Sequence, residues 1–247
     1  MSTDSPSNRG LLTITVTNNS GVMQSYGLFS AVPTITPASD PVFNDIITVF
    51  KGVPGNGGQA FFTMPSAELY AICGAVNRDA IDDGVQKEIV DKQAVVLGHT
   101  ADDGKTVPGS TCSVLVENGS PTFDRGASVA PMGNAGCFCV RTNTDFSYKE
   151  AKQGRYVLGF GVSTTPQMVK DVGPFAMFCP APNTSYQIMP SNVFYVAIGT
   201  FYPRDATPEG LETSSCKIDF NQLPSNDVGL VHDERGKLTV FANKPRL

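Results

Sequence analysis

Two histidines, six cysteines and a scatter of tyrosines are the residues of this chain best suited to chemistry. His99 lies in "LGHTADDG" and His232 in "LVHDERG", both among turn-type residues. A Ser-His-Asp or Cys-His site must recruit one of the two. The serine elbow Gly-x-Ser-x-Gly is absent: "GFGVS" (159–163) lacks the closing glycine and reads as a strand. In "CFC" (137–139) two thiols fall on one strand face, but no second pair or nearby histidine completes a tetrahedral zinc site. "DAIDDG" (79–84) and "ADDG" (101–104) supply carboxylates without the full spacing of a calcium loop. "GVPGNGGQ" (52–59) is glycine-rich but lacks the Lys-Ser/Thr of a phosphate loop, and reads as a flexible connection. No nicotinamide or flavin fingerprint appears. The expectation is a protein that works without a metal or a cofactor.

The cysteines are Cys73, Cys112, Cys137, Cys139, Cys179 and Cys216. Their even number allows three bridges, yet most sit among apolar neighbours, where a thiol packs as a small hydrophobe. Three Asn-x-Ser/Thr tripeptides, at Asn18, Asn118 and Asn183, lean towards a secretory history. The polar start, "MSTDSPSNRG", is not a signal peptide. Localisation is therefore open: secretory if a leader was removed, otherwise cytoplasmic. The net charge is −5 and the lysines and arginines are scattered singly, which argues against nucleic acid as a partner. No apolar run approaches the roughly 20 residues of a membrane span. A homo-oligomer is compatible with all of this.

These residues must be held by strands. The chain is 40% apolar and 17% charged, with 24 glycines and 18 prolines spread along it. That suits short strands separated by many turns. Alternating or apolar runs fall at 11–17, 45–50, 60–64, 68–76, 112–117, 136–142, 155–164, 175–178, 192–202, 216–220 and 238–242, about eleven strands. Helical spacing is confined to 80–97 and a short stretch at 145–153. The fold expected is all-β: an antiparallel sandwich or barrel, in a single domain over 10–247 behind a disordered tail at 1–9.

The chain also repeats itself. "LFSAVP" (28–33) resembles "MFCPAP" (177–182), and "MPSAELYAICGAV" (64–76) aligns without gaps to "MPSNVFYVAIGTF" (189–201). This predicts a duplicated β unit, near 10–76 and 155–202, with Gly74 and Gly199 as matched bulges that splay two sheets. A splayed sandwich can hold a pocket. The run "VFYVAIGTFY" is apolar on both faces, as a strand between core and ligand would be. The pocket lining expected is Phe29, Met64, Tyr70, Met177, Phe178, Phe194 and Tyr195. Polar groups able to point a donor into it include Gln24, Tyr26, Arg141, Tyr156 and Tyr202; of these Tyr26, Arg141 and Tyr202 are the candidate catalytic residues.

The phrases "VTNNSGVMQSYGLFSAVP" and "FFTMPSAELYAICG" resemble small cofactor-free β-proteins of fungal natural-product pathways, among them the hetero-Diels–Alderases of tropolone-sesquiterpenoid biosynthesis. The resemblance implies a cyclase acting on an apolar polyketide or terpenoid, and carries no catalytic residue with it. Such a reaction needs two π-systems held in near-attack geometry and one hydrogen bond to a carbonyl. The alternative is a non-enzymatic binding protein, lectin-like or structural. An enclosed cavity above ~300 Å³ favours the first reading and a solid core the second.

Overall fold

The computed structural model describes residues 11–39, 41–64, 69–75, 88–163, 172–203 and 205–241. The tail at 1–9, the "DAIDDG" turn and Pro65 to Glu68 lie outside these residues.

All eleven expected segments contain strands, and among the described residues nine further strands join them. In chain order they are β1 (Leu12–Asn18), β2 (Gln24–Ser30), β3 (Thr34–Thr36), β4 (Val42–Asn44), β5 (Thr48–Val53), β6 (Gly58–Met64), β7 (Leu69–Ala75), β8 (Glu88–Val95), β9 (His99–Thr100), β10 (Thr106–Val107), β11 (Thr111–Glu117), β12 (Ser120–Phe123), β13 (Phe138–Thr142), β14 (Tyr156–Ser163), β15 (Val172–Phe178), β16 (Ser185–Met189), β17 (Val193–Ile198), β18 (Cys216–Asp219), β19 (Asp227–His232) and β20 (Leu238–Phe241). The helix read at 145–153 is present as α1 (Tyr148–Gln153). Ser147 caps it: the Ser147 hydroxyl accepts from the Glu150 amide, and the Glu150 carboxylate accepts from the Ser147 amide. The helix expected over 80–97 lies outside the described residues at 80–87 and is corrected over the part that is described. Residues 88–95 are the edge strand β8, in register with β7 from Leu69↔Val95 to Ala75↔Glu88. Its β-branched residues (Ile89, Val90, Val95) fit a pleated ladder better than a helix.

The four large sheets are open rather than closed into a barrel and form two pairs, beside a two-stranded ribbon of β9 and β10. The first pair is β20-β19-β1-β6 and β18-β17-β2-β5. The second is β12-β11-β13-β16-β3 and β4-β15-β14-β7-β8. Most pairings are antiparallel, but β1 runs parallel to β19 and β11 parallel to β13. The chain starts in the first pair with β1 and β2, crosses to the second for β3 and β4, returns for β5 and β6, crosses again for β7, β8 and β11–β16, and ends in the first pair with β17–β20.

Alternation selects the faces. In β1, Leu12, Ile14 and Val16 are buried while Thr13, Thr15 and Thr17 look outward. Across the first pair, Phe50 meets Phe62 edge to face and the Tyr26 hydroxyl reaches His232. Across the second, Phe138 meets Phe160 and Phe178 meets Tyr186. One buried cluster runs through both. Its spine is five phenylalanines, Phe138–Phe160–Phe175–Phe194–Phe220, with ring centroids 6.5, 5.7, 6.2 and 5.9 Å apart and every pair edge to face.

The duplicated segments take different neighbours. β14 pairs with β15, but β1 does not pair with β2. β7 lies between β14 and β8, whereas β17 lies between β2 and β18. The ladder shifts register at Gly74, whereas Gly199 falls past the end of β17. The two segments thus form strands of similar sequence in different sheet surroundings.

Of the three glycosylation tripeptides, Asn18 is wholly buried and its amide donates to the carbonyls of Val22 and Val53. Asn118 and Asn183 are exposed, with positive φ in turns. Truncating the middle of the aromatic spine tests the shared core. Phe194→Ala is expected to cost about 3–5 kcal/mol in urea unfolding, with both sheet pairs melting in one transition. A loss under ~1 kcal/mol, far below the usual cost of emptying a core site, or two separated transitions, would show that the spine does not couple them.

Candidate functional site

The residues expected to form one pocket are dispersed. Phe178 and Phe194 fill the shared core, each in aromatic contact with a neighbour. Phe29 and Tyr195 stack at 5.2 Å on the outer side of β2 and β17, with Ile46 and Ala197. That outer side is covered by the chain itself, through Phe201 and Leu211. Gly27 makes this possible: a β-carbon there would meet the Phe201 ring at 2.6 Å. Tyr70 and Met177 pack with Ile72 and Val157 on the outer side of β7, β14 and β15. So "VFYVAIGTFY" is apolar on both faces, as read, but its second face meets the protein's own segment. Of the seven, Met64 alone lines the cleft described below.

The three candidate catalytic residues do not converge. Tyr26 is fully buried on β2, its hydroxyl 2.8 Å from His232 Nδ1 in a hydrogen bond. Arg141 is exposed on β13, in the other sheet pair. Tyr202 is exposed beyond β17, its ring beneath the Lys51 ammonium at 4.1 Å. Of the other polar groups, Gln24 is half-buried at the start of β2, and Tyr156 packs edge to face on Phe146 near α1.

Burial disarms the groups that looked reactive. It pushes the Tyr26 phenol up to about 12, the Cys112 thiol up to about 12 and the Cys73 thiol still higher. All six cysteines are free thiols, four of them buried, so the bland packing role fits them. Burial pulls His232 below its ordinary value, against the smaller opposing pull of Asp233. The "ADDG" turn is a solvated link between β9 and β10, where Asp103 pairs with Lys105 at 2.9 Å. Among the described residues no group of three or more His, Cys, Asp or Glu could hold a metal ion. No described helix is long and apolar enough to cross a membrane.

Open space lies at an edge the sequence reading passed over. The "GVPGNGGQ" stretch joins β5 to β6, with Gly57 at φ +81° in the turn. Those two strands end their respective sheets. Between them is a cleft of about 190 Å³ lined by Ile47, Thr48, Phe50, Phe61, Phe62, Thr63, Met64 and Val162. Phe62 and Met64 point inward, Phe61 is half exposed, and Val162 comes from β14 of the second sheet pair. The lining is aromatic and soft apolar with two threonines, of which Thr63 stands on the outward side of β6 with Phe61. Its alternation, "AFFTM", was legible as a strand; that its partner edge would be β5 was not, because no local signal ties 48–53 to 58–64 across two sheets.

Compared with known proteins, the chain matches no family model, no curated protein and no solved structure.

The buried histidine yields a pH prediction. Its folded value lies below the unfolded ~6.5, so the stability it contributes is whole above that pH and is lost as the pH falls below it. The melting temperature of the protein is expected to hold from pH 8 to 7 and to decline below about 6.5. In His232→Gln the part of that decline between about pH 6.5 and 5 should vanish. An unchanged profile in the variant would place the sensitivity elsewhere.

Proposed function

We propose that the protein binds an apolar polyketide- or terpenoid-like molecule in the β5–β6 cleft and promotes its cyclisation, of hetero-Diels–Alder type, by placement and one hydrogen bond. The observation that carries this reading is the lining: three phenylalanines and a methionine beside two threonines. Aromatic faces hold flat π-systems, and a threonine hydroxyl can donate to a carbonyl as electron density moves onto it. At about 190 Å³ the cleft falls short of the ~300 Å³ expected of an enclosed pocket, so size weighs toward the second reading below and the lining alone carries the first. The cleft seats one ring system, and the remainder of a larger substrate lies along the exposed Phe61. Holding two reacting groups in near-attack geometry is worth several kcal/mol, up to roughly 7–11 in intramolecular models.

A second reading is surface binding without catalysis. The outer face of β20-β19-β1-β6 favours it. Register places Phe241, Gly229, Thr15 and Phe61 in one row, with Thr13, Thr17, Thr63 and Thr239 around it. Exposed rings beside hydroxyls are also what a sugar chain recognises.

The test supplies an enone or in-situ quinone methide with an alkene and follows cyclised product by chiral chromatography. Wild type is expected to exceed the buffer rate and to favour one stereoisomer. Thr48→Phe, which fills the cleft, should abolish the excess. Thr48→Val, which removes one hydroxyl, should lower it about fivefold, the worth of roughly 1 kcal/mol. No acceleration, together with retardation on immobilised oligosaccharide, would replace the first reading with the second.

A further inference from the structure

Among the described residues eight strands end the four large sheets, and seven of them carry a device against pairing with another chain. β3 and β4 are three residues long. β18 and β20 are four residues long, and β18 carries Lys217 and Asp219. β12 is short and contains Pro121. β5 carries Lys51 and Gly52, and β8 carries Glu88, Asp91 and Lys92. Short length, proline and charge are the means by which natural sheets blunt their edges. The exception is β6. Its seven residues, "GQAFFTM", hold no charge and no proline, and its ladder with β1 runs from Leu12↔Met64 to Asn18↔Gly58 without a shift.

We infer that β6 is a self-association edge, which pairs antiparallel with β6 of a second copy of this chain and joins two four-stranded sheets into one of eight. This inference goes beyond the proposed function and does not rest on it. Three observations choose a second copy as the occupant. The strand is uncharged, so two copies meet without repulsion despite a net charge of −5 each. Phe61 is the middle residue of the seven and is half exposed, so a two-fold axis there sets Phe61 against its own counterpart. Cross-strand aromatic pairs are among the favourable ones in antiparallel ladders. The same axis sets Gln59 against Thr63, a polar pair on the outer face. An axis normal to the sheet keeps Ala60, Phe62 and Met64 on the core side in both copies. The cleft is lined by Phe61–Met64, so pairing brings the two clefts side by side. One added strand is a small contact, so the dimer is expected to be weak, roughly micromolar.

The register makes the test specific. Residues facing each other across an antiparallel pair have Cα atoms about 4.5–5.5 Å apart, within disulfide reach. Phe61→Cys is therefore expected to give a covalent dimer under mild oxidant. Thr63→Cys should not, because its counterpart lies four residues along, about 14 Å away at ~3.4 Å per residue. Wild type, whose own thiols are buried or half-buried, is the background control. By sedimentation velocity wild type should show a concentration-dependent dimer. Phe61→Lys should weaken it at least tenfold with an unchanged melting temperature. A wild type monomeric at ~100 µM, well above a micromolar Kd, would overturn the inference. So would equal cross-linking of the two cysteine variants, or a dimer indifferent to Phe61→Lys.

Discussion

The edge-to-face spine from Phe138 to Phe220 constrains everything else. Each ring comes from a different element: β13, β14, β15, β17 and the residue that follows β18. A ring presents a positive rim and a negative face, so an edge-to-face contact fixes orientation as well as distance. Phe175 and Phe194 are the crossing point, where β15 of one sheet pair meets β17 of the other. If either moved, both pairs would lose register with the common core. This is why β17 can be apolar on both sides: Phe194 and Val196 serve the spine, while Tyr195 and Ala197 serve the cover formed by Phe201 and Leu211.

That economy decides where chemistry can occur. A sheet face covered by the chain's own segment has no room for a guest. Space appears where two sheets end and diverge, between β5 and β6. The polar residues near it are threonines, which neither titrate near neutral pH nor bind metals strongly. The groups that do titrate, Tyr26, His232 and the thiols, are held neutral by burial. The lining residues of the cleft include no titratable side chain.

Strand identity was legible because alternation is local: Leu12, Ile14 and Val16 announce their face with no knowledge of a partner. Sheet membership was not, because it depends on residues far apart, such as Ile14 beside Val228. The "MPS" phrases show the limit. Similar residues end β6 and β16, yet their neighbours differ, since pairing is set by what lies alongside. The stretch 88–95 reads as helical by spacing but is an edge strand, a case in which tertiary pairing overrides local periodicity. Tyr26 was legible as an important tyrosine, but its role was not. Its partner His232 lies 206 residues away, and the pair faces the core rather than a guest.

Hydrophobic burial is non-directional and cannot by itself choose how two sheets face each other. The polar cross-links do. In the first pair, Tyr26 meets His232, and Asn18 holds two carbonyls at the same end. In the second, Asp91 on β8 accepts from the Thr122 hydroxyl, the Phe123 amide and the Arg125 guanidinium, reaching β12 and the turn beyond it. Burial alone would push that carboxyl up; the donors outweigh it and hold it down, so the link stays ionic. Buried polar pairs of this kind add little net stability but penalise every arrangement that leaves one member alone. On the β5–β6 side the Asn18 amide donates to the Val53 carbonyl at the end of β5 nearest the connecting turn, and Phe50 meets Phe62 further along. The two sheets are therefore pinned at Tyr26–His232 and Asn18–Val53, and the cleft lies at the opposite end of β5, where Ile47 and Thr48 stand near Met64.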